Sequence, residues 1–178
     1  MFLGFGGAVL APPLVPAPEP ERVSVLFGGD AMFDRYIRDV SDRRGGEYVF
    51  SCLTDTLRDA DLVVVNLEGP ITANESVSRS TRDGDHGHYQ FTFPLRTAGL
   101  LYDHNIRVVS IGNNHIMNFG HEGLLETKAA LDYVQVEYFG DPDVGEAERV
   151  LRKDMEGVPL SFVNWSDWTS DKTDHTVA

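Results

Sequence analysis

Short apolar runs recur along the chain and are separated by stretches with helical or polar patterning. The run at 62–66 is apolar without alternation, which is typical of a strand in a sheet that is covered on both faces. The first run is expected to be a buried strand that stops at Gly28-Gly29. The pattern therefore predicts strands at 23–27, 62–66, 107–111 and 136–139, and a hairpin formed by 149–153 and 159–165.

Helical periodicity fills most of the intervals between these strands. Phe50, Leu53, Leu57 and Ala60 share one face of an amphipathic helix, and Gly45-Gly46 closes the helix before it. Strand and helix alternate three times, which predicts an α/β fold with a mainly parallel sheet and helices on its faces. The expected helices lie at 33–44, 50–60, 95–104 and 123–134, and the polar stretch 73–88 is expected to be a long exposed loop.

Composition limits the class of protein. The 178 residues are 42% hydrophobic and 24% charged, which suits one soluble globular domain. The net charge of −13 argues against nucleic acid or an anionic membrane surface as a main partner, because phosphate binding needs clustered Lys and Arg. It fits a protein that collects cations. The single cysteine, Cys52, is expected in the core rather than as a nucleophile.

The two ends of the chain differ from its body. Residues 1–22 are apolar and then Pro-rich, and they are too short and broken to span a bilayer. Two interpretations stay open: the remnant of a signal or membrane anchor followed by a stiff linker, or a disordered tail. Residues 166–178 are expected to be a polar tail, which leaves 23–165 as the folded domain.

Polar side chains that suit a divalent metal follow three of the predicted strands. The carboxyl ends of parallel strands meet at one edge of a sheet, where α/β proteins bind their ligands. Each residue alone is more often a turn or a helix cap, but three such loops at one edge indicate a metal or polar-ligand site. The residues are Asp30 in the first loop, Asn66 and Glu68 in the second, and Asn114 and His115 in the third.

Competing catalytic motifs are missing from the sequence. It has no GxxxxGK[ST] phosphate loop, no GxSxG elbow and no HExxH zinc motif. His86 and His88 form an HxH pair, which is more typical of a solvated loop than of a metal site in this setting.

Four ordered segments resemble the bacterial CapA family, which serves poly-γ-glutamate capsule synthesis. The resemblance covers roughly residues 23–165. The segments are GDAMFDR at 29–35, ADLVVVNLEGP at 60–70, YQF at 89–91 and GNNHIMNFG at 112–120.

The resemblance implies an α/β sandwich related to the calcineurin-like metallophosphoesterases. It implies that Asp30, Glu68 and Asn114 bind a divalent metal, with Mn, Zn, Fe or Mg as the candidates. His115 would act beside the scissile group as an acid or anion stabiliser, and Arg35 would hold an anionic substrate or orient Asp30. Asn66 and Asn113 are expected to contact the substrate as well.

The sequence departs from the family pattern at two places. Asn118 stands where the family usually has Asp, which weakens any local orienting role of that position. The His-Trp-Gly-like and His-rich segments that normally follow are missing, so the chain is expected to hold only the first half of the site and to be incomplete at its C-terminus.

The expected function is capsule or poly-γ-glutamate biosynthesis with a metal-dependent phosphoesterase-like or hydrolase site. The alternatives are a non-enzymatic polymer-binding or export component, or an inactive fragment. Expected partners are an anionic cell-surface polymer or its precursor and other capsule-synthesis membrane proteins. The expected location is the outer face of the cytoplasmic membrane, with membrane contact only through an N-terminal anchor.

Overall fold

A computed structural model describes residues 22–165, so the predicted leader (except Arg22) and the polar tail lie outside the described residues. Its main sheet is parallel and has the strand order β1-β2-β3-β4. This confirms the predicted α/β fold. The strands are β1 (Val25–Ala31), β2 (Leu62–Leu67), β3 (Ile106–Ser110) and β4 (Glu137–Phe139).

Helices cover one face of this sheet. Alternate β2 residues such as Val63 and Val65 pack into the main core with Leu101 and Leu124 from two of the connecting helices. None of the helices in the described range is long and apolar enough to cross a membrane. The helices are α1 (Arg35–Arg44), α2 (Glu47–Phe50), α3 (Thr54–Arg58), α4 (Arg96–Asp103) and α5 (Gly120–Val134), and short 3-10 turns lie at Ser78–Ser80 and Glu146–Glu148.

A β-hairpin, rather than helices, covers the opposite face. Its antiparallel strands are β5 (Leu151–Met155) and β6 (Val158–Phe162), near the predicted positions. Leu62 and Val64 of β2 point to this side and pack with Phe162 in a second, smaller core. Because β2 is buried on both faces, its sequence lacks the alternation of a half-exposed strand.

The predicted helix at 50–60 is wrong, because the chain breaks it into α2 and α3. Phe50 and Leu57 are buried as expected, but Leu53 lies in the intervening turn and is 50% exposed. The Phe50 ring stacks on His104, with ring centroids 4.2 Å apart, and this contact holds α2 against the end of α4. Cys52 lies in the same turn and is exposed, which corrects its expected place in the core.

The first strand also differs from its prediction. It continues through Gly28-Gly29 to Ala31 instead of stopping at the glycines. It lies at the edge of the four-stranded sheet, so Phe27 is 66% exposed rather than buried. The register shifts between Phe27 and Asp30, because three steps along β1 match two steps from Val64 to Asn66 on β2. This is a bulge, a device that redirects the side chains following it.

A carboxylate ties the start of β1 to the start of β2 and gives a pH-dependent test. The backbone N–H and the hydroxyl of Ser24 both donate to Asp61 Oδ2, at 2.8 and 2.7 Å, and they hold the pKa of Asp61 below its ordinary value. The unfolded carboxyl therefore binds a proton first as the pH falls. We expect Asp61→Asn to be less stable than the wild type at neutral pH, with the difference closing below about pH 4. Urea unfolding across this pH range measures it, and a difference that stays constant would contradict it.

Candidate functional site

The carboxyl ends of β1, β2 and β3 meet at one edge of the sheet, and Asn66, near the end of β2, joins them. Its Nδ2 donates to Asp30 Oδ1 at 2.8 Å and to Glu68 Oε2 at 2.5 Å. Its Oδ1 accepts a hydrogen bond from Asn113 Nδ2 at 2.9 Å. One amide side chain therefore links residues from all three predicted loops, and both of its donor hydrogens are used within the protein.

Glycines around the first two loops make this meeting possible. The bulge at Gly28-Gly29 sets Asp30 beside Asn66 in the register. A Cβ on Gly28 would lie 2.9 Å from Val65 Cγ1, so β1 can approach β2 this closely only without a side chain there. A Cβ on Gly69, directly after Glu68, would be 3.0 Å from the Cβ of Phe91. The two glycines thus leave the space that the neighbouring side chains occupy where the two loops turn.

Asn113 shapes the third loop from within. Its Oδ1 accepts the backbone N–H groups of His115 and Ile116, each at 3.0 Å. Its Nδ2 donates to the Leu67 carbonyl at 2.8 Å as well as to Asn66. Since both amide hydrogens and the carbonyl oxygen are already used, its place in the structure is that of a brace between the second and third loops.

His115 lies against the second loop and is largely enclosed. Its Nε2 is 3.7 Å from Glu68 Oε1, and the two side chains are only 13% and 17% exposed. Its Nδ1 is 3.1 Å from Asn118 Oδ1. The ring packs on Phe91, with centroids 4.4 Å apart. The imidazole is therefore held on three sides, and its Nε2 is directed toward the carboxylate.

The expected metal ligands are not all assembled. Asp30 and Asn114 are exposed at this edge, and Asn114 takes no part in the side-chain hydrogen bonds found among residues 22–165. Within that range, no group of three His, Cys, Asp or Glu side chains is arranged to hold a metal ion. Asn66 links the carboxylates of Asp30 and Glu68, and the imidazole of His115 lies 3.7 Å from Glu68, so the described residues supply only part of a donor set.

The side chain of Arg35 lies against Phe91 and Tyr89, a surface that we call the shelf, rather than beside Asp30. Its guanidinium is over the ring of Phe91 at 4.6 Å and near Tyr89 at 5.2 Å, and one NH2 group donates to the His88 carbonyl at 2.6 Å. Its Nε is buried without a hydrogen-bond partner, and its backbone has a φ of 52°. The ring of Phe91 thus packs against both the guanidinium of Arg35 and the imidazole of His115.

Sequence reasoning missed Asp34, which anchors this shelf. Its side chain is fully buried, and Oδ2 accepts hydrogen bonds from Ser78 Oγ at 2.8 Å and from the Thr92 N–H at 3.0 Å. Arg38 NH1 lies 3.9 Å from Oδ1. An acidic residue in the same segment as Asp30, followed by a long polar loop, is the signal that could have indicated a loop anchor. Asp34 fixes the segment that carries Phe91.

The fourth strand also ends in a carboxylate, but a lysine neutralises it. Lys128 Nζ donates to Asp141 Oδ2 at 2.5 Å, and this hydrogen bond raises the pKa of Lys128. Asp141 is buried directly after β4 and Gly140, and its Oδ1 accepts the N–H of Asp143. This carboxylate is therefore a structural partner of α5 rather than a further member of the cluster.

An apolar groove of about 840 Å³ lies elsewhere, between α4 and α5. Small and apolar residues such as Gly99, Leu100, Ala130 and Tyr133 line it, and none of the candidate site residues does. Apolar clefts are common binding sites, and Arg96, Asp103 and Glu126 also line this one, but none of the three predicted loops reaches it. The polar cluster at the sheet edge is therefore the candidate site.

Comparison with known proteins matches this chain to capsule synthesis proteins. The family model described as "Bacterial capsule synthesis protein PGA_cap" matches residues 24–178. The Bacillus subtilis (strain 168) protein named "PGA biosynthesis protein CapA" is 26% identical over 161 residues, which cover 87% of this chain and 40% of that protein. The Bacillus anthracis "Capsule biosynthesis protein CapA" is 21% identical over 150 residues, which cover 84% of this chain and 36% of that protein. The chain matches well under half the length of each relative.

Proposed function

This chain belongs to the family of bacterial capsule synthesis proteins, and on that premise we propose that it serves poly-γ-glutamate capsule biosynthesis through a divalent-cation site at the sheet edge. The observation that carries the proposal is the link that Asn66 makes between Asp30 and Glu68, with His115 Nε2 3.7 Å from Glu68. Carboxylate oxygens and an imidazole nitrogen are donors that suit Mn, Zn, Fe or Mg.

The chemistry of the donor atoms fits such a cation, but their number is too small to complete its coordination. Asp30 and Glu68 would hold it with carboxylate oxygens, and exposed Asn114 would add an amide oxygen from the loop that also carries His115. Because the described residues form no three-ligand group among His, Cys, Asp and Glu, further ligands have to come from water, from the substrate or from outside the described residues. A bound divalent cation supplies stabilisation of anionic oxygens and can lower the pKa of water.

Different residues of this chain would then have different roles toward an anionic substrate. His115 is enclosed enough to exchange a proton at Nε2 in a defined direction. Arg35, stacked on Phe91 next to His115, supplies a positive charge for an anionic chain. Asn66 and Asn113 keep the three loops together, so they would support the substrate site mainly by positioning its carboxylates.

The net charge strengthens the need for a cation. A protein of −13 repels a polyglutamate chain, and a cation shared between the two carboxylate sets would remove that repulsion. A protein stripped of divalent ions should therefore bind the polymer poorly. We propose the outer face of the cytoplasmic membrane as the location and other capsule-synthesis membrane proteins as partners, because the polymer is a surface product.

A second candidate function is polymer binding in assembly or export without hydrolysis. The incomplete ligand group within residues 22–165 favours it, because cation bridging of a polymer needs fewer fixed protein ligands than hydrolysis does. The two candidates share the cation site and differ in whether a bond is broken.

Cation binding tests the proposal directly. We expect the full 178-residue chain to bind Mn²⁺ and Asp30→Ala to bind it at least about tenfold more weakly, equivalent to about 1.4 kcal/mol. The matched control is Asp132→Ala, which removes the same charge from an exposed position on α5 and should bind like the wild type. Isothermal titration measures all three. Equal affinities in wild type and Asp30→Ala would overturn the cation site.

Polymer assays separate the two candidate functions. Poly-γ-glutamate should be retained on the immobilised protein with Mn²⁺ and released by a chelator. A hydrolase would also shorten the polymer or cleave a generic phosphodiester in a manner lost in His115→Gln. Retention without cleavage would favour the assembly role, and neither retention nor cleavage would contradict both.

A further inference from the structure

The amide of Asn118 has a fixed orientation because a backbone donor faces it. The N–H of Phe91 donates to Asn118 Oδ1 at 2.8 Å. A flipped amide would set an NH2 group against this N–H, so the atom facing Phe91 has to be the oxygen. The Asn118 backbone is held as well, since its N–H donates to the His115 carbonyl at 2.9 Å and its carbonyl accepts from Gln90 Nε2 at 3.1 Å.

The same oxygen lies 3.1 Å from Nδ1 of His115. Asn118 Oδ1 is an acceptor only, so Nδ1 has to carry the hydrogen of the neutral imidazole. We propose that Asn118 is a positioning residue that holds His115 in its Nδ1–H tautomer, so that Nε2 presents a lone pair to the candidate site. The ring contact of 4.4 Å with Phe91 restrains the imidazole in this orientation.

The tautomer determines what His115 offers to the site. Nε2 is 3.7 Å from Glu68 Oε1, and in this tautomer both atoms present lone pairs to the space between them. That space therefore suits an electron-pair acceptor such as the proposed cation. The neutral ring is then a ligand or a proton acceptor at Nε2 rather than a proton donor. This role of His115 rests on the proposed function, whereas the tautomer itself rests only on the hydrogen bonds.

Asn118 can orient His115 although it carries no charge. An amide oxygen fixes the tautomer through the same kind of hydrogen bond as a carboxylate, but it places no negative charge beside the ring. The absence of a carboxylate at this position therefore keeps the orienting role and removes only the stabilisation of a positively charged imidazole.

Nitrogen chemical shifts of the imidazole test the tautomer directly. With ¹⁵N-labelled full-length protein near about pH 8.5, where an ordinary imidazole is neutral, His115 should show a protonated Nδ1 and an unprotonated Nε2. The resonances are assigned by their loss in His115→Gln. A wild-type His115 protonated at Nε2 would overturn the proposal without the need for any further variant.

Two substitutions identify Asn118 as the cause. Asn118→Ala removes the acceptor and should move His115 toward a mixture of tautomers, whereas Asn118→Asp keeps an acceptor and should preserve the Nδ1–H form. An unchanged tautomer in Asn118→Ala would overturn the role of Asn118. Failure of Mn²⁺ binding in a wild type that shows the Nδ1–H tautomer would contradict the proposed function and leave this inference standing.

Discussion

Gly140→Ala should lower the free energy of unfolding by about 3 kcal/mol, because two independent costs coincide at this position. Gly140 has a φ of 80°, a conformation that costs an L-residue about 1–2 kcal/mol. A Cβ there would lie 2.9 Å from Gly112 N and 3.0 Å from Gly112 Cα, and these are backbone atoms that cannot rotate away. Urea unfolding measures the loss.

The same substitution should also disturb the site. Gly112 begins the loop that carries Asn113 and His115, so pushing it away from Gly140 shifts both side chains. The matched control is Gly99→Ala in α4, where an added methyl group would meet no heavy atom within 4 Å, and it should be neutral or stabilising by up to about 1 kcal/mol. Equal effects of the two substitutions would contradict the close approach of the two loops.

Asp34→Ala should cost about 3 kcal/mol of stability, since it removes the acceptor of two buried hydrogen bonds. The Thr92 N–H is left buried without a partner, and Arg38 loses the carboxylate beside it. The Ser78 hydroxyl also loses its acceptor. Chemical denaturation of the variant, with Asp132→Ala as the exposed control, measures the difference.

The effect of Asp34→Ala should extend to the shelf that carries Phe91. Thr92 adjoins Phe91, and Phe91 packs on both Arg35 and His115. We therefore expect faster amide exchange at residues 88–92 in Asp34→Ala than in the control. A stability loss below about 1 kcal/mol, or unchanged exchange at these residues, would contradict the anchoring role.

The position of the candidate site can be predicted because the alternation of strand and helix, which is a local pattern, favours a parallel sheet. Unalternated apolar runs predict parallel strands, and parallel strands bring their carboxyl ends to one edge. That reasoning is enough to place Asp30, Glu68 and His115 near one another.

The remaining features depend on contacts between distant residues. The bulge in β1 is set by its pairing with β2, and Phe50, where α2 ends, packs on His104, which is distant in the sequence. Arg35 turns toward Phe91 and Tyr89, which approach it from more than 50 positions further along the chain. Periodicity within a window of residues contains no information about such partners.

Paramagnetic broadening by Mn²⁺ tests most directly whether the three loops form one cation site. In ¹⁵N-labelled full-length protein, Mn²⁺ at a small fraction of the protein concentration should weaken the amide signals of Asp30, Glu68 and residues 113–115 together, ahead of the acidic stretch 83–86. Strongest broadening at 83–86, or at one of the three loops alone, would show that the cluster around Asn66 does not act as a single site.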